Sequence, residues 1–247
     1  MFATTRGLVL REVRYKEADK ILTVLTGDRG KLTVKARGAL RKGSRLGAAS
    51  QALCWSEFTL FGNRGRWTAD EGSSLEQFLG LREDIAQLAL GAYFAELLDT
   101  VCAEEMPDAA ALQLGLNALY ALSRGIYGPE QVRSVFEMRL MCLEGFRPET
   151  DACGVCGRED PEEPMFAPDD GMIHCRACGH ISVGASLPLD GESLAALRHI
   201  VSAPAKKEFA FAIPAASQEK LSRVCETYVR RQLDRNFYSL DYYKSVK

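Results

Sequence analysis

The chain has 247 residues, 47% hydrophobic and 26% charged, an ordinary globular balance that excludes a wholly disordered chain. Its apolar runs, such as 88–92 and 109–112, fall far short of the roughly 18 residues a spanning helix needs, and the run Leu8–Leu10 is too short for a signal-peptide core. A cytoplasmic protein with no membrane partner is therefore expected. Net charge is only −2, but residues 1–68 carry 14 Lys and Arg against 5 Asp and Glu, while the rest carries 17 against 28. That asymmetry suggests a basic face that meets a polyanion, joined to an acidic body.

Residues 3–78 read as strands. The first covers 3–14. A short β-branched run, Ile21–Thr26, is followed by Gly27-Asp28-Arg29-Gly30 and then by strict alternation. Leu32, Val34 and Ala36 face one way and Lys31, Thr33, Lys35 and Arg37 the other, which predicts a hairpin with an apolar inner and a basic outer face. Residues 51–61 and 66–77 supply a fourth and fifth strand, joined by Gly62-Asn63-Arg64-Gly65. Five short strands in under 80 residues suit a small closed barrel, with an oligonucleotide-binding (OB) barrel leading and an SH3-like barrel as competitor. Gly38–Gly47 is rich in glycine and base, with no apolar period, and predicts a mobile loop on the rim.

The period changes at Leu81. Leu81, Ile85, Leu88 and Ala92 mark a helix face in a segment running to about Glu105. Pro107 opens a second helix ending near Arg124-Gly125, and Gly128-Pro129 precedes a third, in which Val132, Val135, Phe136, Leu140 and Leu143 hold helical spacing up to Gly145. A helix capped by Asp190 or Ser193 runs through Val201. The last long helix covers 214–234, with Leu221, Val224, Cys225, Tyr228 and Val229 inward, and an aromatic tail follows: Phe237, Tyr238, Tyr242 and Tyr243.

Four of the eight cysteines form two pairs, Cys153-x2-Cys156 and Cys175-x2-Cys178, separated by 18 residues. Each pair holds two thiolates at one edge of a tetrahedron, and glycine after each second cysteine permits a tight knuckle. One Zn2+ bound by four cysteines is the reading, with two redox dithiols, a disulfide pair or an iron–sulfur cluster as alternatives. A filled tetrahedron leaves no position for a catalytic water, so the zinc should be structural. His174 and His180 flank the second pair and offer a ligand swap. Glu159, Asp160, Glu162, Glu163, Asp169 and Asp170 make this module, about 148–184, too acidic to grip phosphate.

The N-terminal cations interleave with Tyr15, Trp55, Phe58, Phe61 and Trp67, a mixture that suits single strands, although of Trp55, Phe58 and Phe61 at least half are expected in the core. Gly38–Ser44 approaches a phosphate-binding P-loop, but its lysine precedes the second glycine. There is no nucleophile elbow and no His-Glu-x-x-His, and nothing nominates an enzyme.

Three stretches carry a family resemblance. They are Thr5-Arg6-Gly7-Leu8-Val9-Leu10-Arg11, Tyr15-Lys16-Glu17-Ala18-Asp19-Lys20-Ile21-Leu22-Thr23-Val24-Leu25-Thr26, and Gly30-Lys31-Leu32-Thr33-Val34-Lys35-Ala36-Arg37-Gly38. With helices and a four-cysteine module after them, they resemble the RecO recombination mediators. The resemblance implies an α+β chain: an N-terminal five-stranded OB-fold β-barrel (1–79), then an α-helical domain (80–247) carrying the zinc module. It implies binding of single- and double-stranded DNA, annealing of complementary strands, and action with RecR to help load RecA where single-stranded DNA-binding protein coats the strand. It also implies binding of that protein's acidic tail, for which Arg133, Arg139, Arg230, Arg231 and Arg235 are the candidates.

The expected function is thus a non-enzymatic, nucleoid-associated DNA repair mediator. Its phosphate contacts are Lys31, Lys35, Arg37, Arg41, Lys42, Arg45, Arg64 and Arg66, and its metal ligands are Cys153, Cys156, Cys175 and Cys178. An RNA-binding OB/zinc protein of translation or ribosome assembly is the alternative. A zinc-dependent nucleic-acid enzyme is a third class, against which the closed cysteine site speaks.

Overall fold

The computed structural model describes residues 2–63, 66–179, 184–205 and 207–247. They form two compact units, Met1–Arg124 with Phe237–Lys247, and Gly125–Asn236.

The first unit begins with a closed barrel of β1 (Phe2–Tyr15), β2 (Asp19–Thr26), β3 (Gly30–Ala36), β4 (Trp55–Asn63) and β5 (Arg66–Glu76), in the order β1-β2-β3-β5-β4. The OB-type barrel is therefore present. One long strand closes it: Phe2–Leu8 pair with β4 and Gly7–Tyr15 with β2. A bulge between Val9 and Arg11 turns β1 from one partner to the other. The other seam is short and parallel, Val34–Ala36 against Trp67–Ala69. The edge of β3 that β5 leaves is taken by the chain after the first helix: Lys31 N donates to Ala103 O (3.4 Å) and Glu105 N to Lys31 O (3.2 Å). Gly30 is fixed by the same approach, since a Cβ there would lie 2.2 Å from Met106 O, and its φ is +69°.

Val9, Leu22, Val24, Leu32, Val34, Phe58 and Leu60 fill the barrel. So do Ala39, Leu46 and Ala49, which corrects the reading of 38–47 as a mobile loop. The segment is a chain of turns, with Leu40 N on Ala18 O (2.9 Å), Gly38 N on Asp19 Oδ1 (2.8 Å) and Ser50 N on Leu46 O (2.9 Å). Three apolar residues scattered through turns carry no period, yet they plug one end of the barrel.

Asp84 caps α1 (Ile85–Val101) by accepting from Ala86 N and Gln87 N. Leu81 lies in a separate 3-10 turn, Leu79–Arg82. Helical phase therefore starts at Ile85, and the predicted face is wrong: Ile85 and Ala92 are exposed, whereas Leu90, Tyr93, Phe94, Leu97 and Leu98 are buried. α2 (Ala109–Ser123) is capped by Asp108, so Pro107 precedes the helix rather than opening it. The aromatic tail is itself a helix, α6 (Tyr238–Val246), which packs on α1, where Phe237 meets Tyr93 edge-to-face at 5.6 Å.

In the second unit, α3 (Pro129–Leu143) has Pro129 in its first turn and ends at Gly145 (φ +89°), where Phe146 N returns to Met141 O (2.8 Å). Leu143, expected inward, is 39% exposed. A three-stranded sheet follows in the order β7-β6-β8, with β6 Pro164–Ala167, β7 Met172–Cys175 and β8 Leu187–Pro188. Asp190 and Ser193 cap α4 (Gly191–Ser202) reciprocally, and α5 (Ala215–Gln232) packs on α3 with all five expected residues buried.

Candidate nucleic-acid interface and metal centre

Alternation along β3 puts Leu32, Val34 and Ala36 inside the barrel and the cations outside. Lys35 Nζ stands 3.0 Å from Asp19 Oδ2, and Arg37, exposed, lies 3.9 Å from Asp70 Oδ1. The Gly38 N–H, then Lys35, and Arg41 among the remaining causes, hold the Asp19 carboxyl below its usual range. Lys35, Arg37 and Arg41 are thus brought to one end of the β2–β3 hairpin. Lys42 is exposed on the adjoining turns, Arg45 is exposed and paired with Glu71, and exposed Arg66 stands across from Asn63. Lys31 is placed differently: only 14% of its side chain is exposed, and its Nζ is 3.1 Å from Asp99 Oδ1, at the end of α1. Arg64 lies outside the described residues, as does His180. Of the interleaved aromatics, Phe58 is core, Trp55 and Trp67 are half-buried, and Tyr15 and Phe61 are exposed.

The four paired cysteines converge. All four Sγ atoms lie within 4.8 Å of one another, and Cys156 and Cys175 Sγ are 3.9 Å apart. A tetrahedron of ~2.3 Å Zn–S bonds has an edge of ~3.8 Å, so the donor set fits such an ion. Cys175 ends β7, and Cys178 follows on a 3-10 turn. Gly157 (φ +72°) and Gly179 (φ +75°) close the two knuckles, with Gly157 N on Cys153 O (2.8 Å) and Gly179 N on Arg176 O (3.2 Å). Burial opposes ionisation of Cys153, but the N–H groups of Cys156, Cys175 and Val155 prevail and bring its thiol down to about 6. The neighbouring thiols push Cys178 up to about 12, with Cys156 contributing most.

His174 stays out of the cluster. It is buried, with Nε2 2.7 Å from Ser186 Oγ and Nδ1 3.0 Å from Cys175 O. Sequence reasoning missed Arg198, which reaches from α4 to the carbonyls of Thr150 (2.7 Å), Asp151 (2.9 Å) and Glu159, and so frames the first knuckle. A single arginine on a helix has no spacing that announces this task.

The five candidate tail-binding arginines separate. Arg133 is buried, and its guanidinium contacts Glu130 (2.6 Å), Glu137 (3.0 Å) and Glu226 (3.2 Å). Arg139 donates to Ile200 O and Val201 O at the end of α4. Arg230, Arg231 and Arg235 line a groove of about 410 Å³ at the end of α5, with Glu226 and Asp234 also in its wall.

Known proteins match along the whole chain. The family model described as Recombination protein O N terminal covers residues 1–78, and Recombination protein O C terminal covers 82–241. The chain belongs to the RecO family. DNA repair protein RecO of Acetivibrio thermocellus is 32% identical over 245 residues, covering 99% of this chain and 97% of that protein. The RecO of Alkaliphilus metalliredigens is 28% identical over the full length of both chains, and that of Listeria monocytogenes 34% over 172 residues, 70% of this chain and 67% of its own. In this RecO chain the two models meet at the 3-10 turn between β5 and α1. Among the described residues, no helix is long and apolar enough to cross a membrane.

Proposed function

We propose that this RecO protein is a non-enzymatic repair mediator that binds single- and double-stranded DNA on the outer face of the barrel. It anneals complementary strands and, with RecR, helps load RecA onto DNA coated by single-stranded DNA-binding protein. The observation that carries this reading is the basic N-terminal region, 14 Lys and Arg against 5 Asp and Glu, nine of whose described cations are exposed on a closed OB-type barrel.

Annealing requires no bond chemistry. Two strands repel through their phosphates, and a protein that neutralises both lowers that repulsion and raises their local concentration. Lys35, Arg37, Arg41, Lys42, Arg45, Arg64 and Arg66 are the phosphate contacts, and Lys31 serves first to fasten β3 to α1. Salt bridges such as Arg45–Glu71 are exposed; they hold their cations weakly and release them to phosphate at little cost.

Cys153, Cys156, Cys175 and Cys178 hold one zinc ion. Bound there, the ion supplies a four-bond cross-link between the knuckles and no open position for chemistry. The groove of Arg230, Arg231 and Arg235 receives an acidic protein tail through charge-assisted hydrogen bonds. Unchanged tail-peptide binding after reversing Arg230 and Arg231 would remove that assignment.

Strand annealing tests the main reading. Complementary oligonucleotides coated with single-stranded DNA-binding protein are mixed with the zinc-loaded protein over a salt series, without nucleotide. Acceleration that fades with salt is expected. No acceleration by folded protein, even after RecR is added, would overturn it.

A further inference from the structure

The register places Arg11, Val13 and Tyr15 of β1 on the same outward row set as Ile21 and Thr23 of β2 and Thr33 and Lys35 of β3: Val13 pairs with Ile21, Ile21 with Lys35, and Arg11 with Thr23. The middle of this face is apolar. Val13 is 49% and Tyr15 41% exposed, and Ile21 is half-buried between them and Lys35. Outward positions of a one-layer antiparallel face are normally polar, so this island calls for an occupant.

Its surroundings select one. Lys16 Nζ lies 5.5 Å and Lys35 Nζ 5.4 Å from the centroid of the Tyr15 ring. Lys16 adopts φ +56°, a left-handed conformation costly for lysine, and this abrupt turn brings its ammonium back over the preceding ring. Arg11, on β1, and Arg37, in the turn just past β3, are exposed. An aromatic ring with two ammonium groups within reach offers a π-face to a flat heterocycle and cations to the phosphates on either side of it. A protein partner's apolar side chain would fill Val13 and Tyr15 but make no use of the cations around them, of which Lys16 and Arg11 are exposed and Lys35 and Arg37 are held by the acidic groups of Asp19 and Asp70.

We infer that Tyr15, with Val13 beside it, is a stacking platform for an unpaired nucleobase, and that it makes the barrel prefer single strands to duplex. The inference rests on the basic face being the DNA surface. Lys16 and Lys35 leave the ring for phosphate as the base arrives. A paired base keeps its faces against its neighbours in the duplex and cannot use the platform, whereas the cations serve both forms.

The test compares Tyr15→Ala and Tyr15→Phe in the full zinc-loaded chain. Binding is measured to a mixed-sequence single strand, to its duplex, and to an abasic strand of equal length over a salt series. Tyr15→Ala should weaken single-strand binding about 5- to 150-fold, the range of one base–aromatic stack, with duplex and abasic binding and the salt slope unchanged. Tyr15→Phe should retain wild-type binding. A strand carrying 5-iodouracil should photo-crosslink at Tyr15. Equal losses on all three ligands, or wild-type single-strand affinity in folded Tyr15→Ala, would overturn the platform. If Tyr15→Ala meanwhile abolished capture of a purified protein partner, that partner would be the occupant. Arg37→Ala/Arg41→Ala/Lys42→Ala serves as the reference: a flatter salt slope there keeps the basic face as the DNA surface whatever Tyr15 does, and an unchanged slope removes both.

Discussion

Glu137, fully buried on α3, accepts a hydrogen bond at 3.0 Å from Arg133, one helical turn earlier. Arg133 also holds Glu130 and Glu226, so a single guanidinium binds a carboxylate on its own helix to one on α5. Against the desolvation of burial, these three carboxylates raise the Arg133 pKa well above its ordinary value. Removing the cation strands buried negative charge. Arg133→Ala should lower unfolding stability by about 3–5 kcal/mol, the usual cost of breaking a buried pair, as measured by urea denaturation. An effect on tail-peptide binding without that loss would return Arg133 to the docking surface.

Wild-type protein should carry one zinc per chain by elemental analysis, and Cys156→Ser should carry none. The same variant should expose residues 148–184 to limited proteolysis, because two knuckles and a short sheet have little core of their own. Iron in place of zinc would overturn the choice of metal, and normal zinc content in Cys156→Ser would contradict the four-thiolate site.

Salt dependence reports on the barrel. Replacing Arg37, Arg41 and Lys42 together with alanine should flatten the slope of log affinity against log salt by about two units on single strands, at ~0.7 per lost phosphate contact. The loss should be uniform across sequences. Lys31→Ala should act instead on stability, since its ammonium is committed to Asp99.

Asp190 links acid sensitivity to the start of α4. Partial burial opposes its ionisation, but Lys220 Nζ at 2.8 Å and the Ser193 N–H prevail and hold its carboxyl well below the usual carboxylate range. A lowered folded-state pKa contributes stability that is complete above the ordinary value of ~3.9 and is lost as pH falls through the folded one. Asp190→Ala should therefore cost about 1 kcal/mol at neutral pH, a typical N-cap loss, and the gap from wild type should narrow only in strong acid. A difference that persists unchanged at the lowest pH would assign the effect to packing.

Much of this was legible in the residues. Strict alternation at 31–37 announced β3, and paired Cys-x2-Cys turns announced the four-thiol cluster, because each is a local pattern with one dominant physical cause. What escaped depends on distant partners. Leu46 reads as part of a polar loop until the barrel end it plugs is known. Phase in α1 was misread because Leu81 belongs to a separate turn, with the Asp84 cap standing between it and the helix. Arg133 looks like any surface arginine at helical spacing, and only the carboxylate from α5 turns it into a buried centre. Lys31 looks like its neighbour Lys35 until Asp99 claims it.

The strand β3 is covered along both halves of its outer edge, by β5 at Val34–Ala36 and by the 103–105 segment at Lys31. Among the described residues, no run of open amide and carbonyl groups is left along that edge for a second copy to add itself to the sheet. On the proposed reading, a protein that gathers onto DNA through a basic barrel reaches high local concentration on that template. With β3 sealed, that edge gives crowded copies no backbone ladder through which one barrel could be stitched to the next.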